Sequence, residues 1–268
     1  MPQLNLPKRL AASPLILLVL IALVLQGCFH DDDDPAPVPV PDANPVGYYE
    51  NAGTASVNGG ALLIDDLQAM VHGNRIMIMS AANGLLYDGT ITDISENEFT
   101  ADFTIYQHGE KPTESTATAT GQITEGSSIT GTLNGGGFGS GTFSLLYAST
   151  NSEVAAISRI ENTIFFWRGM GLATDLDFQI DDQGVVTHRK SPNEGVYDSC
   201  RVLSGSFLPI NDSSLYSVNV TFENCEVLDI NGAHTGLAAT RDQDGVDDRL
   251  VYMISNSAYA VIGDSFAD

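Results

Sequence analysis

From Val46 onward the sequence consists of short segments rich in Thr, Ile and Phe, separated by Gly, Asn and Asp. These segments predict antiparallel strands joined by tight turns, because β-branched and aromatic side chains suit a pleated sheet and Gly and Asn accept turn conformations. Between Phe99 and Tyr106 the odd-numbered residues are apolar, and the even-numbered residues, Tyr106 included, are predicted to face water. The sequence therefore predicts an all-β fold.

The strand segments fall into two groups, which predict two antiparallel meander domains, each a barrel or a sandwich. Between the groups, Thr150 and Glu153 have the spacing of a capping box, and apolar residues follow at helical spacing. We therefore expect a short helix over Asn151 to Ile160 that joins the two domains.

Two glycine-containing segments predict hairpin turns. Asn83-Gly84 separates two apolar segments and fits a type I′ turn, because both residues tolerate a positive φ. The run from Gly135 to Gly141 is accompanied by neither a Walker lysine nor a following helix. It fits a flexible hairpin loop better than a phosphate-binding loop.

The N-terminal segment has the features of a cleaved export signal. Lys8 and Arg9 precede an apolar run from Leu15 to Leu25, which is shorter than the roughly 20 residues that a membrane-spanning helix needs. The stretch Leu25-Gln26-Gly27-Cys28 resembles the lipobox of bacterial lipoproteins. The resemblance implies that Cys28 becomes the first residue of the mature protein and carries acyl chains.

Composition restricts what the mature chain can bind. The sequence has 34 acidic and 11 basic residues, and two of the basic ones, Lys8 and Arg9, lie in the predicted export signal. The mature chain is therefore repelled by anionic headgroups and lacks the clustered cations that nucleic acid requires. Membrane attachment is therefore expected from lipid, since each buried methylene contributes roughly 0.8 kcal/mol. The aspartates Asp31 to Asp34 and the prolines that follow them predict an extended tether.

Phe29 stands where the inner-membrane retention signal of enteric lipoproteins has Asp, so the resemblance implies a lipid-anchored outer-membrane protein, on either the periplasmic or the surface side. The expected organisation is a signal peptide (1–27), a lipidated cysteine and tether (28–45), a first β domain (46–150), a helical connector (151–163) and a second β domain (164–268).

Two cysteines remain once Cys28 is assigned to lipid. Export would place Cys200 and Cys225 in an oxidising compartment, where a disulfide is expected. If Asn211 to Ser214 form a turn, the following residues face each other: Leu203 and Phe222, Gly205 and Val220, Phe207 and Val218, Cys200 and Cys225. This register collects the apolar side chains on one face, so it predicts a hairpin with a disulfide at its open end.

Several short phrases combine strand and turn residues: Leu86-Tyr87-Asp88-Gly89-Thr90-Ile91, Ile129-Thr130-Gly131-Thr132-Leu133, Gly141-Thr142-Phe143, Tyr197-Asp198-Ser199-Cys200 and Gly236-Leu237-Ala238. Together they resemble a group of bacterial envelope lipoproteins with lipocalin-like β domains. The resemblance covers most of the mature chain and implies that fold. It brings no catalytic residues with it.

Catalytic spacings are absent from the sequence. No serine lies in a Gly-x-Ser-x-Gly motif. The five histidines lie apart from one another and from cysteine, so we expect them on the surface or in turns rather than on a metal: His30, His72, His108, His188 and His234. Trp167 and three methionines are expected to pack in the core: Met70, Met77 and Met79.

The best candidate site is an acidic turn near the C-terminus, made by Asp242, Asp244, Asp247 and Asp248 around Gly245. Carboxylates around a glycine turn can converge on calcium, the only cofactor that the sequence suggests. The full EF-hand pattern is missing, and Asp and Gly are ordinary turn residues, so an acidic hairpin turn is the favoured interpretation.

The expected function is non-catalytic binding or a structural role in the envelope, with an envelope or extracellular protein as the expected partner. Two alternatives remain open at this point. The protein could carry a small apolar ligand in a barrel cavity, or it could be an envelope hydrolase whose carboxylates are brought together by the fold.

Overall fold

Every regular element in the described part of the chain is a strand or a single 3-10 turn. The computed structural model describes residues 40–151, 153–161, 164–167, 176–188, 200–242 and 247–267. Within these ranges no helical segment has the length and apolar character needed to cross a membrane. The strands form two antiparallel sheets, which confirms the prediction of an all-β chain with two domains.

The first sheet forms barrel A. Its strands are β1 (Gly47–Asn51), β2 (Ala55–Val57), β3 (Leu62–Ile64), β4 (Leu67–His72), β5 (Arg75–Ser80), β6 (Leu85–Ser95), β7 (Glu98–Gln107), β8 (Thr116–Thr124), β9 (Ser128–Gly135) and β10 (Gly141–Tyr147). The barrel closes where β1 pairs with β10, through Tyr49 and Tyr147 among others. The short β2–β3 hairpin extends the sheet beyond β10. The glycine-rich run forms the β9–β10 hairpin, as predicted: Gly135 ends β9, Gly141 begins β10, and the residues between them are the loop.

Alternating side chains fill the interior of barrel A. In β7 the apolar residues from Phe99 to Ile105 are buried, and polar residues between them face outward, as predicted. The large rings require glycine on neighbouring strands. The ring of Phe103 lies over Gly89 and the ring of Phe143 lies over Gly131, where a Cβ atom would overlap it.

Replacing Gly131 with Ala is expected to destabilise barrel A by about 1–3 kcal/mol, because the added methyl group would overlap the Phe143 ring in a filled core. Chemical denaturation measures the difference in the free energy of unfolding. A second change, Phe143→Leu, makes room and should recover part of the loss in the double variant. Equal stability of Gly131→Ala and the parent protein would contradict this account of the packing.

The second sheet forms barrel B. Its strands are β11 (Ile164–Trp167), β12 (Leu176–Ile180), β13 (Val185–His188), β14 (Arg201–Pro209), β15 (Leu215–Glu223), β16 (Gly232–Asp242), β17 (Asp247–Ser255) and β18 (Ala260–Ala267). Each strand pairs with the next one. The pairs Phe165–Ala267 and Phe166–Phe266 join β11 to β18 and close the sheet.

The predicted register of the β14–β15 hairpin is confirmed from Ser204 to Pro209. Before Ser204 a β-bulge shifts the pairing by one residue, so that Val202 instead of Leu203 lies opposite Phe222. Leu203 is 57% exposed, and its predicted place on the apolar face is therefore wrong. The alternation of apolar and polar residues does not predict a bulge. The extra residue moves the side chains before it to the opposite face of the sheet, and nothing in the sequence marks where this happens.

The turn before β6 differs from the predicted type I′ turn. It is a four-residue loop, Ala81 to Gly84, in which Gly84 has φ 60° and Asn83 does not have a positive φ. The Asn83 side chain instead donates a hydrogen bond to the Ser80 hydroxyl at 2.8 Å. The hairpin itself is confirmed.

The connector does not form the predicted continuous helix. Its described residues form 3-10 turns at Ser149–Asn151 and Ile157–Arg159, and Ala156 between them has an extended backbone. Contacts with barrel B explain this conformation. The Ala155 amide donates to the Ser213 carbonyl at 2.7 Å, and the Tyr216 hydroxyl donates to the Ala156 carbonyl at 2.9 Å.

Barrels A and B, which lie in one compact unit, pack against each other through a second core. Its largest contributors from barrel A include Met70, Met77, Met79 and Tyr106, and those from barrel B include Leu237, Val251 and Met253. The three methionines are buried, as predicted, but their core is the contact between the barrels. Tyr106 is 3% exposed, so its predicted place on a wet face is wrong.

Candidate functional site

The described core side chains of barrel B point into its interior and pack against one another. A cavity that they line has a volume of ≈ 10 Å³, close to the smallest space that holds one water molecule. Ligand pockets usually measure about 300–1,000 Å³. Aromatic and aliphatic residues line this cavity: Phe178, Val186, Val202, Phe207, Val220, Phe222, Tyr252 and Ile254. The described residues therefore leave no room for a drug-sized ligand inside barrel B.

Concave surface is found instead on the outer face of barrel A. Three concavities of ≈ 590, ≈ 350 and ≈ 350 Å³ lie over strands β6 to β10. The two smaller ones share Thr120 and Gln122, and the largest includes Thr118, which is next on the same face of β8. We call this surface the trough; its main polar residues are Asp88, Asp93, Glu98, Thr100, Asp102, Thr118, Thr120, Gln122, Thr130, Thr132, Asn134 and Thr142.

A row of threonines crosses the trough. Thr100, Thr120, Thr132 and Thr142 are exposed and lie side by side on β7, β8, β9 and β10. Adjacent strands are about 4.8 Å apart, so the hydroxyl groups repeat at roughly that interval. The Thr100 hydroxyl also lies 2.8 Å from the hydroxyl of Thr92 on β6. The row is a regular surface of groups that both donate and accept hydrogen bonds.

The trough is acidic and offers no aromatic platform. Asp88 and Asp102 lie in its largest concavity, and Asp93 and Glu98 lie in one of the smaller ones. The rings of Phe99, Phe103 and Phe143 lie beneath the surface and are at most 5% exposed. The surface can therefore form many hydrogen bonds but gives little apolar contact.

One carboxylate of the trough is held by an arginine at the contact between the barrels. Arg75 donates from Nε to Asp88 Oδ1 at 3.1 Å and from Nη2 to Asp88 Oδ2 at 2.9 Å, a two-point ion pair. Nη2 also donates to the Thr235 carbonyl of barrel B at 3.1 Å. The Ser255 hydroxyl forms a further hydrogen bond to Asp88. Asp88 thus belongs both to the trough and to the interface between the barrels.

The residues predicted from sequence are only partly within the described structure. The disulfide between Cys200 and Cys225 is present. Cys28 lies outside the described residues. Asp244 of the acidic turn also lies outside them, and only the backbone of Asp242, Asp247 and Asp248 is described, where β16 ends and β17 begins. Calcium binding there stays a prediction.

His234 is a buried residue that sequence analysis missed. It is 0% exposed, so its predicted surface or turn position is wrong, whereas His108 is exposed in a turn, as predicted. Nδ1 of His234 lies 3.3 Å from the Gly232 carbonyl oxygen, and Nε2 is buried without a hydrogen-bond partner. Burial lowers the pKa of His234, because apolar surroundings disfavour the charged imidazolium.

Comparisons with protein families, with curated proteins and with solved structures find no match to this chain.

Proposed function

We propose that the protein is a lipid-anchored envelope lipoprotein that acts by non-catalytic binding, with the trough as its binding surface. This proposal rests on where the structure has room for a ligand. The cavity lined by the described side chains of barrel B has a volume of ≈ 10 Å³, whereas a concavity on the outer face of barrel A measures ≈ 590 Å³. Lipid on Cys28 and the tether 28–45 would hold the barrels near a membrane and leave the trough accessible.

The chemistry of the trough favours a hydroxyl-rich ligand without negative charge. Threonine, asparagine and glutamine side chains both donate and accept hydrogen bonds, as sugar hydroxyls do. The carboxylates of Asp93, Glu98 and Asp102 accept only and repel anions. Protein partners usually bind by inserting aromatic or arginine side chains into apolar pockets. The described surface of the trough has no apolar pocket that could receive such a side chain. An uncharged polysaccharide therefore fits better than a protein.

Replacing Thr120 and Thr132 together with Val is expected to weaken binding of an uncharged polysaccharide at least roughly tenfold. Each lost hydroxyl removes a hydrogen bond worth about 1 kcal/mol, while valine keeps the branched shape and the strand. Titration calorimetry with dextran and with hydroxyethyl cellulose measures the affinity. Alginate, an anionic polysaccharide, should not bind.

The control variant is Thr124→Val, which changes an exposed threonine on the same strand outside the trough. It should bind like the parent protein. A photocrosslinking residue at Thr118 tests the surface in its own envelope, independently of the ligand class. Protein adducts at Thr118 would keep the trough as the binding surface and reject the polysaccharide, and equal labelling at Thr118 and Thr124 would reject the trough.

A further inference from the structure

His234 is an ionisable side chain placed in the apolar interior of barrel B. On β16 it lies opposite Val220 of β15, and its ring contacts the Phe222 ring at a centroid distance of 5.2 Å. Its Nε2 atom is fully buried and has no hydrogen-bond partner. His234 is 0% exposed, and among the described residues no other side chain that can change its charge is fully buried, apart from tyrosines.

The charged groups on the neighbouring elements do not offset a proton on His234. On β15, Glu223 is ion-paired with Arg201 of β14. In the loop before β16, Glu226 and Asp229 are exposed to solvent. On β17, Ser255 lies opposite Thr235 and Ile254 lies opposite Gly236, and neither residue is charged. Burial lowers the pKa of His234, and the hydrogen bond with the Gly232 carbonyl offsets part of this effect.

We infer that His234 makes barrel B an acid-sensitive element: when its imidazole is protonated, the β15–β16 hairpin opens while barrel A stays closed. A charge without a partner in an apolar interior is costly, so the protonated protein favours conformations in which the imidazolium reaches water. Thr235, the next residue in β16, accepts a hydrogen bond from Arg75. Opening of β16 therefore also removes a contact that holds Arg75 between the barrels. This inference does not depend on what the trough binds.

Hydrogen exchange of the intact protein at about pH 7 and pH 5, corrected for the intrinsic pH dependence of exchange, tests the inference. Protection of the β15 and β16 amides should fall severalfold at the lower pH, because the imidazole takes up a proton more readily in the open hairpin than in the closed one. Protection in β7 and β8 should not change. The only tryptophan of the chain, Trp167, lies in β11, so its fluorescence gives a second signal from barrel B alone.

His234→Phe removes the ionisable group and should abolish the acid response of β15 and β16. The matched control is His72→Phe, a partly buried histidine on β4 of barrel A, which should keep that response. If His234→Phe does not fold, an NMR titration of the wild-type imidazole decides the question. A His234 pKa at or above its usual value, or β15–β16 protection that is equal at both pH values, would overturn the inference.

Discussion

Replacing Cys28 with Ala is expected to move the protein from the membrane pellet to the supernatant after a high-salt wash. In the proposed lipoprotein, the acyl chains on Cys28 supply all of the attachment, since two or more chains anchor a protein stably and the acidic chain adds no electrostatic attraction. The variant should still be exported, because the basic and apolar parts of the signal are unchanged. Cell fractionation followed by immunoblotting measures the distribution.

The control for this experiment is Cys200→Ala, which removes a cysteine from the disulfide and should leave the protein in the pellet. A Cys28→Ala protein that stays wholly in the pellet after the wash would reject the lipid anchor. Loss of both proteins from the pellet would also reject it, because attachment would then depend on the folded domain instead of the lipid.

Much of the fold could be predicted from local sequence patterns. The alternation in β7 gave the correct buried face, and the turn at Asn211 to Ser214 gave the correct register for the nearest pairs, such as Phe207 with Val218. These features depend on residues that are near in sequence. The bulge at Leu203 could not be predicted in this way, because counting outward from the turn assumes that each residue of one strand lies opposite one residue of the other.

The contact between the barrels could not be placed in the same way. β5 reads as a continuous apolar run, Ile76 to Met79, and such a run signals burial on both faces. The apolar run predicts that another part of the protein covers the outer face of β5, but it does not identify that part. Met77 contacts a core formed by residues more than a hundred positions later, such as Met253, and only the tertiary fold brings them together.

The trough shows a similar limit. Thr116, Thr118 and Thr120 alternate with alanines, which predicts an exposed threonine stripe along β8. The threonine row across β7 to β10 depends on how each strand is aligned with the next, and each alignment is set by the turn between the two strands. His234 was missed for a different reason. Polar residues are usually exposed, and its neighbours Ala233 and Thr235 give no apolar pattern that would place it inside a barrel.

Removing the disulfide by Cys200→Ser with Cys225→Ala is expected to lower the free energy of unfolding of barrel B by about 3 kcal/mol. The bond joins residues 25 positions apart, and its loss lets the unfolded chain explore many more conformations. Alanine suits position 225 because Cys225 is 4% exposed in an apolar core, whereas Cys200 is only partly buried. Thermal unfolding monitored by Trp167 fluorescence measures the change in barrel B.

The double variant should still fold, because the hairpin keeps its other interactions. Apolar pairs such as Phe207 with Val218 remain, and the loop after β15 is held by Asn231, whose side chain accepts from the Cys225 amide at 2.9 Å. A reducing agent should lower the stability of the parent protein to that of the variant and leave the variant unchanged. Two free thiols in protein freshly isolated from the envelope would contradict the disulfide. Equal stability of the parent and the double variant would show that the loop is already constrained in the unfolded chain.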